Sequence, residues 1–250
     1  MGPLSTPVLP ATLPRVMGHR GASGGAPENT LVAFRRATAQ GARWVECDVR
    51  LTADRVPVLL HDATLDRTTT GHGPVARCSA ADFARLDAGS WFGPAFRGEA
   101  APTLAAACRI WTDLNLGVNL ELKADSGDGE ALATAVAQVL AAQHAAFPVL
   151  ISSFEEAALE AAQRHLPYMP RGLLVGAVPP DAAARAGRLG CAALHVAQDR
   201  LDRAQVDALR AQGLAVLAYT VNDPQRARTL FAWGVRTVFT DHPERLIEPA

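Results

Sequence analysis

The chain has 250 residues, enough to bury one large core, and carries 24 basic against 25 acidic side chains. That balance sets up no global field to draw nucleic acid or an anionic membrane, and no apolar run approaches the length of a membrane span. The four cysteines, Cys47, Cys78, Cys108 and Cys191, form no CxxC pair, and a domain of this size needs no disulfides, so reduced thiols in a cytoplasmic protein are expected.

Residues 1–14 hold four prolines and neither a basic nor an apolar signal region, which reads as a flexible leader before a domain over 15–250. Arg15 to Gly18 is the first short strand. Asn29 or Thr30 caps a helix through Ala39, and Gly41 ends it. Trp44 to Asp48 is the second strand. Later strands are expected at Val118–Leu122, Val149–Ser152, Gly172–Val175, Ala193–Val196, Ala215–Tyr219 and Thr237–Thr240. Alanine-rich helices separate them, at Leu104–Asp113, Glu130–Gln143, Glu155–His165, Asp181–Arg188, Asp202–Gln212 and Pro224–Trp233. Eight strands alternating with helices predict an α/β fold, a TIM (β/α)8 barrel with its site at the C-terminal ends of the strands.

One run breaks the alternation. Val56 to Leu60 follows Val49 to Leu51 after only four residues, too few for a parallel crossover, so the two must form an antiparallel hairpin. Pairing Leu51 with Val56 would set Glu46 opposite His61. The Gly-, Thr- and Asp-rich stretch that follows has little periodicity, so residues 49–101 read as a small cap insertion after the second barrel strand.

Charged and imidazole side chains gather at the strand ends: His19-Arg20, Glu46-Cys47-Asp48, His61-Asp62, Glu121-Leu122-Lys123 and Thr240-Asp241-His242. Glu46 and Asp48, two apart, share one face of a strand, whereas Cys47 turns to the helix layer. Adjacent carboxylates raise each other's pKa unless a cation separates them. With Glu121 they form an all-oxygen set suited to one divalent cation, Mg²⁺ or Ca²⁺, rather than Zn²⁺. The alternative is plain strand-end salt bridges with Arg20, Arg50 or Lys123. Histidine is the side chain suited to proton transfer near neutral pH, so His19 and His61 are candidates for the acid and the base flanking a phosphorus. Arg20 and Lys123 suit phosphate oxygens, and also the neutralisation of the carboxylates. His72, His144, His165 and His195 are weaker candidates. Phe154 and Tyr219 fit either a pocket wall or the core, and Asp241, at the end of the last strand, fits either support of a site residue or a helix N-cap, the structural role being favoured.

In chain order, His19-Arg20-Gly21, Pro27-Glu28-Asn29-Thr30, Glu46-x-Asp48-Val49, Pro57-x-x-x-His61-Asp62, Asp66-Arg67-Thr68-Thr69, Pro102-Thr103-Leu104 and Glu121-x-Lys123 resemble the glycerophosphodiester phosphodiesterases of the bacterial cytoplasmic type. Ser152-Ser153-Phe154, Thr220-Val221-Asn222 and Thr240-Asp241-His242-Pro243 extend the match, which spans about Val16 to Leu246. The resemblance implies a capped barrel that hydrolyses small-molecule glycerophosphodiesters to sn-glycerol 3-phosphate and an alcohol. By matching position it implies His19 and His61 as the acid–base pair, Glu46, Asp48 and Glu121 as ligands of the divalent cation, and Arg20 as a phosphate contact. Neither nucleic-acid binding nor stable membrane insertion is expected, and the protein is expected as a monomer or homodimer. Three stretches depart from the family's habit: Tyr219 stands where Trp is frequent, Ala105-Ala106 follow Leu104 where Glu often comes next, and Thr70 stands where Asn is common. Two other readings are a phospholipase D-like hydrolase of lysolipids and a non-catalytic phosphodiester-binding protein. No histidine or carboxylate of the pattern is missing, as the second would require.

Overall fold

The structure, a computed structural model, describes residues 8–124 and 127–247. Of the expected leader, residues 1–7 lie outside the described residues, but the rest is not loose. Leu13 is buried in the apolar cluster at the base of the barrel, and Thr237 Oγ1 donates to the Pro14 carbonyl at 2.7 Å.

Eight parallel strands close a barrel: β1 (Val16–Gly18), β2 (Trp44–Leu51), β4 (Gly117–Leu122), β5 (Val149–Ser153), β6 (Arg171–Val175), β7 (Ala193–Ala197), β8 (Ala215–Tyr219) and β9 (Thr237–Thr240). Closure is made by β1, which pairs with β9 over its whole length and with β2 at Gly18–Val45. Helices return the chain between strands: α1 (Leu31–Ala39), α3 (Leu104–Asp113), α4 (Gly129–Ala142), α5 (Glu156–His165), α6 (Ala182–Arg188), α7 (Arg203–Ala211) and α8 (Pro224–Trp233). Their starts follow capping chemistry. Thr30, Thr103, Asp202 and Asp223 each accept a first-turn backbone N–H, and Asp202 forms a full capping box with Gln205. Thr30, not Asn29, is the cap of α1, which frees Asn29 for the site described below.

Alternation along β2 and β4 divides the two cores. Val45, Cys47, Val49, Val118, Leu120 and Leu122 face outward and pack with Leu104, Trp111 and Leu132 of the helices. Trp44, Met17, Leu150, Leu217 and Phe239 fill the barrel's lower interior. Gly117 makes that filling possible, because a Cβ there would sit 2.2 Å from the Trp44 ring.

The hairpin is antiparallel, as expected, between β2 and β3 (Pro57–Leu59), but its register differs by one residue. Leu51 pairs with Pro57 and Val49 with Leu59, because the turn closes between Thr52 N–H and the Val56 carbonyl, with Arg55 at φ 59°. His61 therefore lies beyond the ladder rather than opposite Glu46. Strand β2 also runs on past Asp48: Val49 still pairs with Leu122 of the barrel, so the strand belongs to the barrel and to the hairpin at once. The segment after β3 holds a short helix α2 (Ala80–Phe83) and its own apolar cluster of Val58, Leu60, Leu65, Val75 and Phe83. A last short helix, α9 (Pro243–Leu246), follows β9. All four cysteines are free thiols, and no helix among the described residues is long and apolar enough to cross a membrane.

Candidate active site

The seven sequence-expected residues converge at the C-terminal ends of the strands. His19, Arg20, Glu46, His61, Glu121 and Lys123 line a single cavity of about 250 Å³. Asp48 lies behind them, 1% exposed. Glu46, Asp48 and Glu121 present oxygens that all lie within 4.8 Å of one another. Parallel pairing brings this about, since Asp48 and Glu121 are register partners and Glu46 sits one inward position below Asp48.

Cations flank the cluster without fully satisfying it. Lys123 Nζ stands 3.0 Å from Glu121 Oε1 and 3.6 Å from Asp48 Oδ1, while Arg20 Nε stands 3.3 Å from Asp48 Oδ2. The Arg20 backbone N–H donates to Glu46 Oε2 at 2.9 Å, which requires Arg20 to take a left-handed conformation at φ 53°. Gly21 follows at φ 87°, packed so tightly on α1 that a Cβ would lie 2.7 Å from Ala33. Burial, and then the charges of Asp48 and Glu121, push the Glu46 carboxyl well above its usual pKa. Glu121 is raised by burial and then by Asp48. Burial also acts to raise Asp48, but Arg20, Lys123, His61 and the Asn29 hydrogen bond outweigh it and hold Asp48 low. Glu46 Oε1 is buried with no hydrogen-bonding partner among the described residues. An orphaned carboxylate oxygen inside an all-oxygen triad fits a hard divalent cation. Simple strand-end salt bridges do not account for it.

Each imidazole is anchored at Nδ1. Asp241 Oδ1 lies 2.7 Å from His19 Nδ1, and Asp62 Oδ1 lies 2.7 Å from His61 Nδ1. Both arrangements leave Nε2 for chemistry, and His19 Nε2 faces Glu46 Oε2 at 3.9 Å. Asp241 is itself fixed by Asn222 Nδ2 at 2.7 Å and Ser23 Oγ at 2.9 Å. It caps no helix, since His242 stands at the start of α9; its side chain is engaged by His19 instead. On the other side Arg67 donates to both Asp62 oxygens at 2.7 and 3.0 Å and to both Glu28 oxygens at 2.8 and 2.9 Å. Glu28 in turn holds Arg20 Nη1 at 2.7 Å. A continuous chain of ion pairs thus joins His61, through Asp62, Arg67, Glu28 and Arg20, to Asp48. Arg50 Nε donates to the His61 carbonyl at 2.9 Å and fixes the backbone beyond the hairpin. Burial lowers the His61 pKa below its usual value, against the opposing pull of Asp48 and Asp62.

Asn29 is the residue most clearly misread from sequence. It donates Nδ2 to Asp48 Oδ2 at 2.8 Å and accepts the Asp48 N–H at 3.2 Å, at φ 57° just before its helix. A left-handed Asn beside a helix start leaves no periodic trace. Asp62 was visible beside His61, and a carboxylate next to a candidate catalytic imidazole is the signal that could have found it.

Phe154 and Tyr219 both line the cavity, with ring centroids 6.1 Å apart, and Tyr219 donates its hydroxyl to the Val175 carbonyl at 2.9 Å. The tyrosine at 219 therefore forms part of the cavity wall.

Comparison with known proteins places this arrangement in a family. Residues 19–245 match the model of the glycerophosphoryl diester phosphodiesterase family. A glycerophosphodiester phosphodiesterase of Caldanaerobacter subterraneus is 34% identical over 238 residues, covering 93% of this chain and 96% of the relative. Among solved structures, an Oleispira antarctica phosphodiesterase in complex with the product sn-glycerol-3-phosphate aligns at a TM-score of 0.91 and 42% identity, covering 94% of this chain and 95% of that one. A glycerophosphodiester phosphodiesterase of Agrobacterium tumefaciens aligns at 0.79 and 30%, covering 94% and 99%. The chain belongs to the glycerophosphoryl diester phosphodiesterase family and is a phosphoric diester hydrolase.

Proposed function

We propose that the protein hydrolyses glycerophosphodiesters to sn-glycerol 3-phosphate and an alcohol, with His19 and His61 as the acid–base pair. The carrying observation is the pair of imidazoles, each held at Nδ1 by its own carboxylate, on one cavity with a buried carboxylate triad. Glu46, Asp48 and Glu121 would hold one divalent cation, Mg²⁺ or Ca²⁺. When bound, that ion polarises a phosphoryl oxygen and lowers the pKa of a neighbouring hydroxyl. Arg20 and Lys123 offset charge developing on the phosphoryl oxygens, Arg20 through its fork and Lys123 as a point charge. One histidine accepts the nucleophile's proton at Nε2 and the other donates one to the leaving alcohol, each transfer contributing about 10²–10⁴-fold. The nucleophile is water or the glycerol 2-hydroxyl, and turnover of a substrate lacking that hydroxyl separates the two. The segment at 49–101 would act as the cap that carries His61 and Arg67 to the mouth.

The test is a panel of glycerophosphocholine, glycerophosphoethanolamine, glycerophosphoglycerol and lysolipids, each with Mg²⁺ and with Ca²⁺. Release of sn-glycerol 3-phosphate from the water-soluble diesters is expected, and exhaustive chelation should stop it. Turnover of lysolipids alone, or activity untouched by chelation, contradicts the reading.

A further inference from the structure

Beside the carboxylate triad the cavity is lined by polar atoms that the proposed chemistry leaves unused. His195, at the middle of β7, borders the cavity and is 0% exposed. Neither of its ring nitrogens has a hydrogen-bonding partner among the described residues. Burial depresses its pKa to about 3, so the ring is neutral, offering one N–H and one lone pair. Asn119, 1% exposed, donates Nδ2 to Ser152 Oγ at 2.9 Å, while its Oδ1 is also unpaired. Ser152, 0% exposed, accepts that bond and keeps its own proton to give.

These three side chains come from β4, β5 and β7 and border the same cavity as His19 and His61. Asn119 lies one inward position below Glu121, and Ser152 is the register partner of Glu121. The space is built for the imidazole: a Cβ at Gly172 would lie 2.3 Å from His195 Nε2, and Phe239 covers the ring at 5.3 Å. Leu174 and Phe239 supply apolar wall between the polar groups. The cavity of about 250 Å³ has room for a small polyol phosphate. Buried donors and acceptors without partners are destabilising, and such groups persist where a ligand or ordered water pairs with them.

We propose that Asn119, Ser152 and His195 form a hydroxyl-recognising floor that binds the terminal hydroxyl of the glycerol moiety, the one remote from phosphorus. The inference rests on the glycerophosphodiester reading above. With the phosphoryl group at the carboxylate triad, one ester arm points to the closed floor and the other to the open mouth. The short triol arm fits the floor: its carbons meet Leu174 and Phe239, and its far hydroxyl meets three side chains that can both donate and accept. The variable alcohol faces the mouth, where size is not restricted. The floor is thus a specificity determinant for glycerol and leaves the leaving group unselected.

The experiment compares kcat/KM for glycerophosphocholine with that for the phosphocholine diester of 1,2-propanediol, which keeps the hydroxyl next to the ester carbon and lacks only the terminal one. Wild type should prefer the glycerol substrate by on the order of 10²-fold, because a floor built to pair with a hydroxyl is left unsatisfied without it. His195→Phe and Ser152→Ala should each lower that preference about tenfold or more, with the ratio as the readout. Wild-type indifference between the two substrates, or an equal loss on both in the variants, overturns the floor as a hydroxyl site. If His195→Phe does not fold, the wild-type ratio and Ser152→Ala decide. A wild type that hydrolyses neither substrate overturns the floor as the selective element, and one that also fails on glycerophosphoethanolamine and glycerophosphoglycerol overturns the glycerophosphodiester reading itself.

Discussion

Acid sensitivity of the fold should carry the signature of His195. Its imidazole titrates at about 3 in the folded protein, through burial alone, against 6.5 for an unperturbed ring. Between those values the unfolded chain binds a proton that the native state refuses, so stability falls as the solution is acidified. The contribution is complete above pH 6.5 and is lost progressively as the pH drops towards 3. At pH 4.5, two units below the unfolded value, the loss amounts to about 3 kcal/mol at about 1.4 kcal/mol per unit. That is a large share of the roughly 5–15 kcal/mol typical of a folded domain. Glu46 and Glu121, raised in the fold, act in the opposite sense, so the comparison must be between wild type and a variant lacking only this ring. Urea denaturation of wild type and His195→Phe at pH 7 and pH 4.5, both with chelator present, supplies it. Wild type should lose about 3 kcal/mol more than the variant over that interval. Equal losses would refute the reasoning, because they would mean that His195 is as basic in the fold as in the open chain.

Replacing His19 or His61 by alanine should cost on the order of 10²–10⁴ in kcat while thermal unfolding changes little, and wild-type turnover in either variant would contradict the acid–base assignment. Because burial and mutual repulsion raise Glu46 and Glu121, loading a divalent cation should release protons, with affinity rising up to about tenfold per pH unit for each proton displaced. Titration calorimetry in two buffers of different ionisation enthalpy reads this directly, and heats independent of buffer would exclude it. Arg67→Met should lower kcat by about 10-fold or more by releasing Asp62 and Glu28 together, with Arg67→Lys recovering little because both contacts use the guanidinium fork. A steady-state comparison in which the lysine variant matches wild type would refute that clamp. Gly117→Ala should destabilise by about 1–3 kcal/mol through collision with the Trp44 ring, with activity per folded molecule retained, as paired denaturation and kinetic measurements will show.

The amino-acid order by itself determined the barrel and the composition of its rim. Apolar runs of four to six residues alternating with alanine-rich helices leave few other architectures, and the helices at Leu104–Asp113 and Pro224–Trp233 fall where periodicity and capping put them. Strand-end charges such as Glu46, Asp48 and Glu121 were legible because a charge at the end of a buried run has to meet a partner there. Tertiary structure alone decided what each of them touches. The hairpin register depended on how one turn closed, between Thr52 and Val56, and a two-residue repeat cannot encode that single step. Asn29 and Asp241 act on Asp48 and His19 across 19 and 222 positions, and His195 reads as an ordinary strand residue until the barrel closes around it. Local pattern reports which face of an element is buried, whereas the identity of a partner across the barrel is fixed only when eight strands agree on one register.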